Sequence, residues 1–461
     1  MKMQEKTSRN EQMLHAPVEK LIARLAVPTM ISMLITAVYN MADTYFVSQI
    51  GTSASGAVGI IFSAMALIQA FSFTFGIGTG NHVSRLLGAG KAETANQYVA
   101  VGWFTGFIFG TLLGLCGLLN LHSVVKLLGA TDTIAPYAMD YARFIFMATP
   151  FMMCSFIMNN ILRFQGLAAY AMVGITIGGV LNMLLDPLFI FGLGMGTAGA
   201  GLATGLSQFV SFLILFGMCN LKKDTISVKF GNFKPSRKIY GDILYTGSPS
   251  LARQGVTSFA TVVLNRSAGV YGDAAIAALS IVSRYTMFMN SLIVGFGQGF
   301  QPVCGFNMGA KKYQRVKKAF YFCVKVSTAA LLVLCVVSML LSGNIIALFR
   351  KDDADVIAMG TYALRVQLLT MPLWGFYVMS NMFSQTAGYG LRASVISAAR
   401  QGICFIPLVL ILPRLFGLKG LLITQPVADV FAFALSIVLV TGILKQLNQK
   451  SREENSVGGR L

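Results

Sequence analysis

Charge is scarce in this sequence. Asp, Glu, Lys and Arg make up 11% of its 461 residues, well under the share of about 25% usual for a soluble domain, so a single aqueous globule is excluded. Cysteines at redox or metal spacing are absent. The seven present (Cys116, Cys154, Cys219, Cys304, Cys323, Cys335 and Cys404) stand singly in apolar stretches without a CxxC pair, and they read as inert buried thiols. Histidine is limited to His15, His82 and His122, with no ligand spacing among them, so no metal site is expected. No Gly-x-Ser-x-Gly elbow and no soluble sensor segment is present, which counts against a membrane enzyme or a receptor. The first twenty residues carry Lys2, Lys6, Arg9, Glu11 and Lys20 but no short apolar stretch before a cleavage site, so no signal peptide is expected.

What is abundant is apolar sequence, 55% of the chain. Apolar runs long enough to cross a bilayer recur throughout, which places the chain in a membrane. Twelve spans are predicted at 21–49, 54–81, 95–120, 134–160, 166–191, 197–219, 243–269, 274–304, 318–342, 356–384, 392–413 and 418–444. The fold class is therefore an all-α membrane protein. Its expected division is a tail over 1–20, an N-terminal lobe of six helices over 21–219, a loop over 220–242, a C-terminal lobe of six helices over 243–444 and a tail over 445–461.

The net charge of +19 raises the question of nucleic acid, and its distribution answers it. Lys and Arg concentrate in the termini and the even-numbered loops, notably around Lys222 to Lys238 and Lys311 to Lys318. By the positive-inside rule both termini then face the cytoplasm of a multi-pass inner-membrane protein. Contact of these loops with anionic lipid is expected; a nucleic-acid partner is not, since no aromatic residues interleave with the bases on a soluble surface.

The chain repeats itself at an offset of 221 residues. Pro28, Thr36, Gly51, Ala54, Ala57 and Ile60 align without a gap with Pro249, Thr257, Gly272, Ala275, Ala278 and Ile281. Phe75, Gly76 and Gly78 then fall on Phe296, Gly297 and Gly299, and Gly88, Ala89 and Lys91 on Gly309, Ala310 and Lys312. The register returns at Tyr141 and Tyr362, Asn160 and Asn381, Gly196 and Gly417. Six spans per copy is an even number, so the two lobes enter from the same side and are related by a pseudo-two-fold axis along the membrane normal. Two such lobes enclose a cleft that rocking opens to either face, the geometry of a transporter.

Of the 17 acidic residues, only Asp43, Asp186 and Asp429 lie deep in spans. A carboxylate in hydrocarbon costs on the order of 3 kcal/mol even on the lenient scale, so each needs a partner, a proton or water. Asp43 and Asp186 each lie about twenty residues, roughly 30 Å, beyond the cytoplasmic start of their helices. Asn182 is one turn from Asp186 on the same face, and Thr204 lies roughly 10 Å down the next span from the outer side. These four meet at one level and make a candidate site for a proton or sodium. The alternative for each acid is a structural hydrogen bond within its bundle, Asp186 next to Pro187 in particular.

Leu25-Ala26-Val27-Pro28, Ala42-Asp43-Thr44 before Gly51, and Ser84-Arg85-Leu86-Leu87-Gly88-Ala89-Gly90 stand in the first lobe. Leu181-Asn182-Met183-Leu184-Leu185-Asp186-Pro187, Ile190-Phe191-Gly192 and Gly199-Ala200-Gly201-Leu202-Ala203-Thr204 follow. With these runs the chain resembles the multidrug and toxic compound extrusion family over essentially its whole length. The resemblance implies export of organic, mostly cationic amphiphiles in exchange for protons or sodium. It places the coupling site of one branch at Asp43, Asn182, Asp186 and Thr204, and a hinge at Pro28. Another branch uses acids on the seventh and tenth helices, where this chain offers only Arg253, Arg266 and Arg365. No cofactor beyond the coupling ion and no obligatory protein partner is expected.

Arg253, Arg284, Arg400 and Asp429 form a possible charge network in the C-terminal lobe, with Arg400 and Asp429 as a structural ion pair or a charge-exchanging gate. Tyr39, Phe73, Met287, Phe288 and Met289 are candidates for an adaptable substrate cavity, because Met and aromatic side chains suit varied ligands. A flippase for lipid-linked oligosaccharides or phospholipids is the alternative reading, since it wants a cationic cavity for phosphate.

Overall fold

The computed structural model describes residues 2–220, 226–349 and 353–458. Lys222 of the basic loop and the last three residues of the C-terminal tail lie outside the described residues. The chain is helical, with no strand among the described residues. The first half contains α1 (Lys2–His15), α2 (Val18–Ser48), α3 (Thr52–Gly88), α4 (Ala92–Leu119), α5 (Leu121–Leu127), α6 (Ala135–Phe164), α7 (Ala168–Pro187) and α8 (Gly196–Asn220). The second contains α9 (Arg237–Gly269), α10 (Asp273–Gly309), α11 (Tyr313–Leu340), α12 (Ser342–Phe349), α13 (Ala354–Thr370), α14 (Leu373–Thr386), α15 (Gly390–Ala398) and α16 (Phe405–Gly458).

Among the described residues nine helical stretches are long and apolar enough to cross a membrane, and α13 with α14 makes a further span bent by 57°. The bend falls at Pro372, whose ring cannot continue the helix behind it, where one straight span was expected over 356–384. Two more crossings complete the twelve. α16 runs through Gly417, whose φ of 59° breaks it into the end of one span and the whole of the next. α9 is long enough but too polar to pass on hydropathy, because Arg253, Gln254, Thr257 and Thr261 face a cavity rather than lipid. Its start is fixed by Ser236, whose hydroxyl accepts from the Ile239 amide at 3.2 Å, satisfying a donor the helix leaves open.

The repeat extends into the three-dimensional structure. α3 and α10, and likewise α4 and α11, begin and end at positions separated by the same 221 residues. The short helices α5 and α12, which hydropathy does not mark, also start at Leu121 and Ser342, in register. The left-handed turn residues pair as well: Gly51 with Gly272, Gly196 with Gly417, and Gly90 with Lys311, whose φ of 59° is the one positive value at a non-glycine residue described.

Within the first half α6 packs between α3, α4 and α8, and α2 lies against α7. Within the second, α9 packs on α15, and α13, α14 and α16 pack together. The halves meet through α2 on α10 and through α3 on α9 and α10. These contacts sit at one end. Gly299 faces the backbone of Ala26, Gly295 that of Met30, Gly247 that of Thr74, and Gly78 the carbonyl of Ile243; each approach is too close for a side chain. Thr29 donates to the Gly295 carbonyl at 2.7 Å. Tyr98 donates to Asp242 Oδ2 at 2.5 Å. α1 crosses the same end, where its Met13 carbonyl accepts from Asn307 at 3.1 Å and the following Ala16 carbonyl from Arg315 at 2.7 Å. Apart from Tyr98 near the start of α4, Arg315 near the start of α11, and Met13 and Ala16 at the end of α1, these residues lie in the first halves of α2 and α9 and the second halves of α3 and α10, so the lobes are sealed on the face that carries the N-terminus.

Candidate functional site

α2, α6, α7 and α8 bring one polar cluster together inside the first lobe. Asp186 is fully buried and Asp43 is 4% exposed. Asn182 donates from Nδ2 to Asp186 Oδ1 and to Thr204 Oγ1, both at 3.3 Å. Tyr141 on α6 donates a long bond of 3.5 Å to Asp43 Oδ2. Local sequence places Asp186 where the helix loosens. Pro187 has no N–H to give to the ladder, and the chain continues as a π-turn over Leu188–Gly192, a form common at functional positions.

The cluster has more acceptors than donors. Asp43 Oδ1, Asn182 Oδ1 and Asp186 Oδ2 are buried without a hydrogen-bond partner among the described residues, and each such atom costs about 1–3 kcal/mol. A proton on either acid, or a hard cation taking oxygen ligands, removes that deficit. Tyr141 is the member that the sequence reading missed as a site residue. Its signal was a phenol in the middle of an apolar span, which repeat alignment alone had picked out.

A narrow pocket lined by Thr36, Tyr39, Asn182, Thr204 and Ser207 leads to this cluster. It shares Thr36, Phe156 and Ile175 with a cavity of about 530 Å³ between the lobes, so the polar cluster adjoins the central space. Phe73 and Met287 line that cavity, whereas Tyr39 belongs to the narrow pocket. Met289 is buried in the hydrophobic core, and Phe288 is exposed. Pro28 lies inside α2, which passes through it without a break.

In the second lobe Asp429 is saturated. Its Oδ2 accepts from Gln367 at 2.7 Å, Trp374 at 2.8 Å and Thr370 at 3.3 Å. Its Oδ1 accepts from Arg400 at 2.7 Å and Gln425 at 3.0 Å. Arg400 also lies 3.8 Å over the Trp374 ring. The bend between α13 and α14 makes this possible, since Gln367 and Thr370 precede it and Trp374 follows it. Arg253 and Arg284 do not join the cluster: Arg253 lines the central cavity and Arg284 is exposed. At the positions where another branch carries acids, Arg266 is exposed and Arg365 holds Ser342 Oγ at 2.8 Å.

The model of the family described as MatE matches residues 28–188 and again residues 249–411. The chain belongs to the MatE family. The two matches begin at Pro28 and Pro249, the first aligned pair of the repeat, so each lobe carries one copy of the MatE unit. The multidrug export protein MepA of Staphylococcus haemolyticus is 26% identical over 93% of this chain and 94% of its own length. MepA of Staphylococcus aureus is 28% identical over 93% and 95%. A solved structure of the outward-facing conformation of a multidrug resistance MATE family transporter of the MOP superfamily is 28% identical, covers 95% of this chain and 98% of that one, and superposes with a TM-score of 0.90. The chain is thus a multi-pass membrane transporter of the MatE family, not an enzyme.

Proposed function

We propose that this chain exports drug-like compounds across the cell membrane in exchange for protons or sodium, with both termini in the cytoplasm. The observation that carries the reading is the acceptor-rich cluster of Asp43, Asn182, Asp186, Thr204 and Tyr141, which adjoins the central cavity but makes too few hydrogen bonds of its own. Similarity to the MepA multidrug exporters supports the substrate class, and the concentration of Lys and Arg in alternate loops supports the orientation.

In this mechanism the seal at the N-terminal face is the cytoplasmic gate, and the structure is the state closed to the cytoplasm. An ion arriving from outside binds Asp43 and Asp186. It draws α2 toward α7 and α8 and narrows the cavity, with Pro28 as the hinge, since no ladder hydrogen bond ties the Pro28 nitrogen. Return of the ion to the cytoplasm requires the Thr29, Gly295 and Gly299 contacts between α2 and α10 to separate. Ion and exported compound must each favour a different state for exchange to follow.

The test is substrate uptake into inverted vesicles with proton and sodium gradients imposed separately. One gradient is expected to drive uptake in the wild type and to fail in Asp43→Asn and Asp186→Asn at equal expression. Uptake that stays gradient-dependent in both variants refutes the site.

A further inference from the structure

The charges that line the central cavity are all positive. Arg163, Arg253 and Arg400 contribute to its wall, and no carboxylate does among the described residues. Arg400 is neutralised by Asp429. Arg163 and Arg253 have no such partner: neither makes an ion pair among the described residues. Arg163 is 2% exposed. Its Nη2 donates to Asn160 Oδ1 at 2.6 Å, and its Nε is buried with no partner.

The two guanidinium groups come from opposite lobes and line the same cavity. Arg163 lies at the end of α6, which runs toward the sealed face, while Arg253 lies six residues beyond Gly247 on α9, which runs away from it. Helical side chains lean toward the N-terminus of their own helix. Arg163 therefore leans up into the cavity and Arg253 down toward its floor. Asn160, which orients Arg163, packs on Gly76, close to the Thr74 and Gly247 seal. Two like charges in a space of low dielectric repel strongly, and intramembrane charges ordinarily have a counter-charge. The cavity floor thus lacks an anion.

We propose that Arg163 and Arg253 form a specificity site for an anionic group, a carboxylate, sulfonate or phosphate, on an amphiphile whose apolar part lies against Phe73, Leu279, Met287 and Val294. This rests on the transport reading above and names the substrate class for it. Guanidinium suits such groups because its planar fork gives two parallel hydrogen bonds, and about 530 Å³ is within the usual volume of a small-molecule site. Because the arginines belong to different lobes, one bound anion joins them and replaces their repulsion by two attractions. Occupancy of this site holds the cytoplasmic side closed.

The experiment is equilibrium titration of the purified full chain in phosphatidylcholine nanodiscs with taurocholate, an anionic amphiphile, and with tetraphenylphosphonium, a cation of similar bulk. Taurocholate is expected to bind the wild type, Arg163→Gln and Arg253→Gln to weaken it at least about tenfold each, and Arg163→Lys to retain part of it. Tetraphenylphosphonium binding is expected to be unchanged or tighter in the glutamine variants. Thermal unfolding, expected to be unaltered in Arg253→Gln, guards against misfolding. A second arm replaces part of the lipid by phosphatidylglycerol. Displacement of taurocholate, with phosphatidylglycerol co-purifying with wild type but not with Arg253→Gln, assigns the anion to a lipid headgroup; undisturbed taurocholate binding assigns it to a free solute. Taurocholate affinity equal in wild type and both glutamine variants, or no taurocholate binding at all, overturns the proposal. No gradient is present in these titrations, so a failure of ion coupling leaves their result standing. Conversely, gradient-driven flux of a cationic dye survives if only the anion site is wrong.

Discussion

Three carboxylates of this chain are buried in apolar protein, one in the second lobe and two in the first, and the lobes treat them in opposite ways. Asp429 in the second lobe receives five hydrogen bonds, from Gln367, Thr370, Trp374, Arg400 and Gln425, at 2.7–3.3 Å. Among the described residues Asp186 in the first receives one, from Asn182 at 3.3 Å, and Asp43 one, from Tyr141 at 3.5 Å. A saturated buried carboxylate is costly to disturb, because every donor around it is left unpaired when it goes. An undersaturated one is poised to take a proton or cation. The same residue type thus serves structure in one lobe and exchange in the other, and the count of donors separates them.

The largest effect should follow from Asp429→Ala. It leaves Arg400 as an uncompensated charge and four other donors without an acceptor, and breaking a buried pair in this way costs about 3–5 kcal/mol. Thermal unfolding of the solubilised protein should show a marked fall in midpoint and expression should drop. If Asp429→Ala instead melts like the wild type, the contrast between the lobes is wrong. Asp186→Asn and Asp43→Asn should do the reverse: ion-driven export falls at least about tenfold, while the unfolding midpoint holds or rises, since removing a charge from an acceptor-rich pocket relieves repulsion. A loss of stability in these variants equal to that of Asp429→Ala erases the distinction.

That contrast was only half legible in the sequence. Apolar runs and the offset of 221 residues give the two lobes of six spans directly, because hydrocarbon forces each span to satisfy its own backbone. Residue spacing along the helices also brings Asp43, Asn182, Asp186 and Thr204 to one level, and the last three are in direct hydrogen bonds. Side chains arriving from elsewhere in the chain were not legible. Tyr141 reaches Asp43 from α6, and Gln367 and Trp374 reach Asp429 only because Pro372 bends their span, a direction that spacing along one helix does not encode. The short helices α5 and α12 escaped for another reason: they lie between spans, where hydropathy has no threshold to cross. The predicted spans leave Arg163 in the loop between 160 and 166, and only the structure puts it on the cavity wall.

A smaller effect sharpens the comparison between the sealed end and the open one. Tyr98 and Asp242 join the lobes at 2.5 Å, and Thr246 on the next turn of α9 donates to the Gly78 carbonyl at 3.3 Å. Asp242→Asn keeps the size of the side chain but weakens a charge-assisted bond, worth about 1.5–3 kcal/mol. The population closed on the N-terminal face should fall, read as faster labelling of a cysteine introduced at Ser250, which is 3% exposed in the closed state, in a background with the native cysteines replaced. Labelling no faster than in the parent means that the glycine-mediated packing of α2 and α3 on α9 and α10 holds the seal without this bond.

The smallest effect is expected from Tyr141→Phe. The hydroxyl's contacts with Asp43 Oδ2, at 3.5 Å, and Met65 Sδ, at 3.7 Å, are long, so their removal costs little hydrogen-bond energy, about 0.5–1 kcal/mol, and leaves the ring packed. Stability should move by less than the scatter between preparations. Ion coupling should respond more than stability does, because the phenol is the donor that reaches Asp43 in this state and its loss leaves both oxygens of that carboxylate bare. A stronger demand for a proton or cation follows, seen as a half-saturating ion concentration lowered about two- to fivefold in flux assays. A raised half-saturating concentration would instead make Tyr141 a ligand of the ion, and would place the oxygen of α6 beside those of α2, α7 and α8 in the site.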